Sequence, residues 1–202
     1  MEFVSGTDQL RYALMSLVAE DATSLPLLAP RQLAQLLAAT QILPYRVGRR
    51  QVGSGASVVR QDFDICMAPP KPNALWNLAA ELEEHLALAL KGLRPPVLAG
   101  RLGFNDLVVQ RYHPGSFGIT THRDHMRYTG LVALIQLSGD GRFFVSDTRS
   151  GSGAREISWR PGELLLMRAP GFAGRKDRPF HYLSDIKIER HSIGLRHDTQ
   201  LG

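Results

Sequence analysis

From residue 106 to the C-terminal end, short runs rich in Val, Ile, Phe and Leu are separated by glycine, proline and aspartate. Such punctuation marks strands and turns. The candidate strands are 106–112, 117–122, 130–138, 142–147, 154–158, 162–168, 180–184 and 188–196. About eight strands in roughly 90 residues is what a two-sheet jelly roll or a small barrel needs.

The preceding part reads differently. In "DQLRYALMSLVAE", Leu10, Leu14, Leu17 and Val18 recur at helical spacing over 8–20, with Ser5 or Thr7 available as the N-cap. A second helix starts at Pro30 and runs through "RQLAQLLAAT", because proline costs nothing at the first helical position. Residues 46–67, rich in Val and Gly, read as a two-stranded hairpin. Asn73 can cap a helix whose Leu75, Leu78, Leu82, Leu86 and Leu90 form an apolar stripe that ends before Gly92. Helices of this kind bury their stripe against a sheet face. The expected architecture is α+β: one domain over 1–202, with a helical and hairpin part (1–95) packed on one sheet of a jelly-roll core (96–202).

Composition narrows the function classes. Hydrophobic residues make up 44% of the 202 positions, yet no apolar run reaches the ~18 residues of a membrane span. The N-terminus carries Glu2, Asp8 and Arg11 and lacks the pattern of a signal peptide, so the expectation is a soluble cytoplasmic protein without a membrane partner. A single cysteine, Cys66, excludes an internal disulfide and a thiolate metal cluster, and it reads as a small buried hydrophobe. Any metal must therefore be held by His, Asp or Glu. The net charge of +5 is compatible with nucleic acid, an acidic small substrate or a solvated basic surface.

The chemistry concentrates in "THRDH". His122 and Asp124 are two apart, so in an extended segment both point to the same side and can share one ion. His181, in the strand-like "RPFHYL", offers a third ligand, since a rolled antiparallel sheet brings distant strands together. Two histidines and one carboxylate on one face of a metal form the facial triad of non-haem Fe(II) oxygenases. Such iron needs an electron source to activate O2. The common one is 2-oxoglutarate, whose far carboxylate must be gripped by a buried cation; arginine suits this because it stays charged and pairs bidentately. In "ERHSIGLR", nine residues beyond His181, Arg190, Ser192 and Arg196 share one strand face, with Gly194 leaving room between them. The presence of Asp124 argues against halogenation, in which chloride takes the carboxylate's place. His125 alternates away from the ligands. His113, His191 and His197 are out of phase or at the fringe, and His85 and Trp76 lie on the leucine-striped helix as edge and packing residues.

Taken together, 107–197 resembles the Fe(II)/2-oxoglutarate-dependent dioxygenases with a double-stranded β-helix, and within them the AlkB-type subgroup. The matching features are Gln110, Tyr112, Pro114 and Gly115 in "QRYHPG", then His122 and Asp124, the turn and strand of "RPGELLLM", His181, and the closing Arg190, Ser192 and Arg196. The resemblance implies Fe(II), 2-oxoglutarate and O2 as cofactor and cosubstrates. It also implies that Tyr112 and Gln110 hydrogen-bond 2-oxoglutarate, that Arg190 pairs with its distal carboxylate, and that Arg196 lies near its iron-binding end. The implied reaction oxidises a substrate C–H bond while 2-oxoglutarate is decarboxylated to succinate. The nine-residue spacing from His181 to Arg190 is closer to small-molecule oxygenases, which favours a small, anionic substrate. Arg123, Arg127 and Arg168 are the candidate contacts to it, with Tyr128 nearby. Arg46, Arg49 and Arg50 are candidates for a lid or phosphate contacts. The alternatives are an AlkB-like oxidative demethylase of alkylated nucleic acid and a non-catalytic metal-binding β-barrel module.

Overall fold

The computed structural model describes residues 3–201; Met1, Glu2 and Gly202, at the ends of the expected 1–202 unit, lie outside the described residues. The N-terminal part contains α1 (Thr7–Ser16), β1 (Ala22–Pro26), α2 (Pro30–Gln41), β2 (Arg46–Val47), β3 (Gln51–Val52), β4 (Val59–Arg60), β5 (Asp64–Met67) and α3 (Ala74–Lys91). The remainder contains β6 (Asp106–Tyr112), β7 (Ile119–His122), β8 (Tyr128–Gln136), β9 (Arg142–Ser146), β10 (Arg155–Ile157), β11 (Glu163–Arg168), β12 (Phe180–Ser184) and β13 (Arg190–Asp198). All eight strands expected in the core are present, with ends moved by up to two residues.

These strands form two facing antiparallel sheets, the jelly-roll core. The major sheet has the order β1-β11-β8-β13-β6-β5-β2, and the minor sheet β10-β9-β12-β7. Alternation along β8 shows why the major sheet is apolar on both faces. Leu131, Ala133 and Ile135 join the α3 leucines Leu75, Leu78, Leu82 and Leu86 in one buried cluster, whereas Val132 joins Phe143, Val145 and Leu183 of the minor sheet in another. The helices thus cover the outer face of the major sheet, and the barrel interior lies between the sheets. The Asn73 side chain accepts the Leu75 amide hydrogen at 2.9 Å and fixes the start of α3. Among the described residues no helix is long and apolar enough to cross a membrane.

Two local expectations are corrected, and one strand, β1, is present where none was expected. The cap of α1 is Gly6, not the side chain of Ser5 or Thr7; the Ser5 hydroxyl donates to the Pro26 carbonyl at 2.5 Å, tying the helix to β1, and α1 ends at Ser16. The 46–67 hairpin is four short strands: β3 pairs with β4 alone, while β2 and β5 extend the major sheet beside β6. The strand β1 has no clear alternation in its sequence, yet it caps the other edge of that sheet by pairing with β11. Its Pro26 is tolerated because an edge strand need not donate on its free side.

Gly118 couples the turn before β7 to β12. Its φ is +84°, and a Cβ there would lie 1.9 Å from the Leu183 carbonyl oxygen, whereas Gly115, at φ +82°, has open space around it. Both Gly115→Ala and Gly118→Ala carry left-handed strain of roughly 1–2 kcal/mol, but only Gly118→Ala adds a backbone overlap. Its denaturation midpoint is expected to fall well below that of Gly115→Ala in matched urea titrations.

Candidate metal centre

The antiparallel pairing of β7 with β12 sets His122 directly opposite His181. Their rings lie 4.2 Å apart, and Asp124, just past the end of β7, completes a set whose ligand atoms all fall within 4.8 Å of one another. Asp124 Oδ1 is 4.0 Å from His122 Nε2 and 3.9 Å from His181 Nε2. The other ring nitrogens face backbone: His122 Nδ1 is 2.9 Å from the Thr120 carbonyl, and His181 Nδ1 is 3.4 Å from that of Pro179. A carbonyl can only accept, so each Nδ1 carries the proton and each Nε2 presents a lone pair toward Asp124.

The electrostatics favour the ligating forms. Burial, followed by the neighbouring His181, holds the His122 pKa down at about 3, and burial also lowers that of His181. Burial alone would raise the Asp124 pKa, but Arg196 first, then His181 and His122, outweigh it and bring it to about 2. The carboxylate divides its oxygens: Oδ1 faces the histidines, and Oδ2 lies 3.4 Å from Arg196 Nε. Arg196 also lies 3.7 Å from Asp106, so its charge is matched on two sides.

The pairing of β13 with β6 sets Arg190 opposite Tyr112, Ser192 opposite Gln110 and Arg196 opposite Asp106. Gln110, Tyr112, Ser192 and Arg196 line an inner cavity with His122 and His181, walled by Ile119, Leu134, Phe143, Trp159 and Leu183. Arg190 is fully buried beside it. Its guanidinium carbon lies 4.4 Å from the Trp159 ring centre, and Nη1 donates to the Asp140 carbonyl at 3.4 Å, yet Nε and Nη2 find no hydrogen-bond partner among the described residues. Burial lowers the Arg190 pKa to about 10 against the opposing effects of Tyr112 and Asp140. Burial raises that of Tyr112, which keeps the phenol protonated and able to donate. A buried cation with unpartnered donors costs several kcal/mol, so a carboxylate ligand beside it fits this chain, as a divalent metal fits the His-Asp-His set.

The three arginines expected to meet substrate separate. Arg168 is buried, with Nε donating to Asp21 at 2.8 Å and Nη2 to Asp177 at 2.9 Å; its guanidinium is a structural clamp. Arg127 is engaged by Asp198 at 3.0 Å and by the Tyr128 hydroxyl at 3.0 Å. Arg123 alone keeps a free role: it is exposed, lies 3.9 Å over the Phe180 ring, and has no carboxylate partner among the described residues. Two arginines not singled out in the sequence join it. Arg149 lies 5.5 Å from the same ring, and Arg178 donates to the Asp124 carbonyl. Neither stands at a recognisable spacing, because loops bring both to the site. Of the lid candidates, Arg50 is paired with Asp62. His113, bonded to Asp64, and the exposed His125 stand outside the triad, as expected.

No family model matches this sequence, and no curated protein matches it. Solved structures do match in fold. A prolyl hydroxylase from Trichoplax adhaerens, in complex with a hypoxia inducible factor peptide fragment, is 13% identical with a TM-score of 0.69, over 96% of this chain and 90% of that one. A 2OG-Fe(II) oxygenase family oxidoreductase from Burkholderia pseudomallei is 16% identical at a TM-score of 0.63, over 97% and 92%. The structure of OsALKBH1 is 15% identical at 0.58, over 87% and 97%. At such identities the shared feature is the fold: this chain has the jelly roll of the 2OG-Fe(II) oxygenases.

The depressed histidine pKa has a consequence for stability. Unfolded His122 takes up a proton near its ordinary value of 6.5, while folded His122 refuses it down to about 3. The unfolded state therefore binds more protons across that window, and stability falls as pH drops through it. The melting temperature of the metal-free protein is expected to decline below pH 6.5, and less steeply in His122→Asn; parallel pH profiles of the two proteins check this.

Proposed function

We propose that the protein is an Fe(II)- and 2-oxoglutarate-dependent dioxygenase acting on a small anionic molecule. The observation that carries this reading is the coexistence, inside one barrel, of the His122–Asp124–His181 cluster and the buried, under-partnered Arg190. His122, Asp124 and His181 would hold the metal, and Arg190 would pair with the distal carboxylate of 2-oxoglutarate beside Tyr112, Ser192 and Gln110. When bound, the iron with 2-oxoglutarate and O2 supplies the oxidising chemistry that converts the cosubstrate to succinate and oxidises a substrate C–H bond.

The chain's own residues prepare the site. The two backbone-anchored histidines present fixed Nε2 lone pairs, so little reorganisation accompanies metal binding. Arg196 keeps Asp124 ionised and aims Oδ1 inward while holding Oδ2. Ile119, Leu134, Phe143 and Leu183 form an apolar part of the inner cavity's wall, which strengthens the charge interactions made beside it. Arg123, Arg149 and Arg178 supply positive charge next to the triad, and this supports an anionic substrate. An affinity for single-stranded DNA that falls steeply with salt would instead favour a demethylase of alkylated nucleic acid.

Thermal shifts with Mn(II) and 2-oxoglutarate separate the roles, because a ligand that binds the native state must stabilise it. Arg190→Gln is expected to weaken 2-oxoglutarate binding by about 30-fold or more, the scale of losing one partner of a buried charge pair, while leaving the Mn(II) shift intact. Asp124→Ala should lose both shifts. Equal effects of the two variants on both ligands would overturn the assignment, as would the absence of any 2-oxoglutarate-dependent shift in the wild-type protein.

A further inference from the structure

Trp159 stands in the turn between β10 and β11, is 8% exposed, and lines two cavities. One is the inner cavity with His122 and His181; the other is lined also by Gln136, Asp140, Glu156, Ser158 and Arg160. Trp159 is common to both linings. Its Nε1–H donates to the Glu163 carbonyl at 3.1 Å, and the Phe143 ring meets it edge-on at 5.6 Å, so its orientation is fixed by a hydrogen bond and a packed neighbour. Phe143 in turn stacks on His181 at 5.7 Å. Against the indole lies the Arg190 guanidinium, stabilised by the electron-rich ring where no carboxylate among the described residues forms a salt bridge with it.

We infer that Trp159 determines the length of the 2-oxo acid this site accepts. The inference rests on the proposed cosubstrate role of Arg190. A dicarboxylate that binds the metal at one end and Arg190 at the other must match the distance between them. The metal end is set by the β7–β12 pairing. The other end is set by the indole, on whose face the guanidinium rests at 4.4 Å and whose bulk fills the space a longer chain would need. Replacing the ring with a small side chain frees that space and should let 2-oxoadipate, one methylene longer, compete with 2-oxoglutarate.

Calorimetric titration of the Mn(II)-loaded protein with each acid tests this. The wild type should prefer 2-oxoglutarate. In Trp159→Ala the ratio of the two dissociation constants should shift toward 2-oxoadipate by roughly tenfold, and Trp159→Phe, which keeps an aromatic face, should shift it little. If Trp159→Ala does not fold, Trp159→Leu serves the same comparison. A purely structural role would weaken both acids in proportion, so an unchanged ratio in a folded small-residue variant overturns the inference while 2-oxoglutarate still binds. Failure of the wild-type protein to bind either acid would overturn the cosubstrate reading, and this inference with it.

Discussion

The candidate centre depends on one strand pairing, that of β7 with β12. Antiparallel register sets residues directly across from one another, and here the residues across are His122 and His181. A slip of one position would turn one imidazole to the opposite face of the sheet, because side chains alternate with a period of two. The register shifts between His181 and Leu183, beyond which Gly118 lets the turn backbone pass close to Leu183. The pairing is held more broadly by the interior cluster around Phe143, Val145 and Leu183. Asp124 then needs no strand of its own: it follows His122 closely enough to reach the same point, and Arg196 turns its carboxylate inward.

Two arginines on β13 illustrate opposite electrostatic situations. Arg196 lies against Asp124 and Asp106, a compact network in which each charge is answered within the protein. Arg190 is more deeply buried, yet it has a carbonyl and an aromatic ring where a carboxylate would be expected. An unanswered buried charge costs stability, and this asymmetry distinguishes the two ends of one strand: Arg196 beside the His-Asp-His cluster is paired, and Arg190 is not.

Much of the core was legible in the sequence, because its signals are short-range. Alternation within each strand, glycine and proline at the turns, and the leucine stripe of α3 are all set by neighbouring residues. The two-residue spacing in "THRDH" and in "RHSIGLR" likewise places side chains on one face whatever the rest of the chain does. The N-terminal strands were less legible. β1 is recruited by the open edge of β11, and β2 to β5 are two to four residues each, too short for a period to show. The fates of the arginines were illegible for a related reason. Arg123, Arg127 and Arg168 look equivalent as charges near a motif, but Asp21 and Asp177 claim Arg168 and Asp198 claims Arg127 through contacts between distant segments. Arg149 and Arg178 reach the site only because loops fold over it.

By itself the sequence determined the jelly-roll strands, the leucine face of α3, the His122–Asp124 pair with His181 as its partner, and the common face of Arg190, Ser192 and Arg196. Each follows from backbone periodicity or residue chemistry, which act over a few positions. Only the tertiary structure decided that Arg196 lies against Asp124, that Arg190 is left with a carbonyl and an indole, that Arg168 is a clamp, and that Trp159 lines two cavities. Those outcomes depend on which charges and rings are brought within a few ångströms of one another, and Coulomb and packing forces act on distance in space rather than separation along the chain.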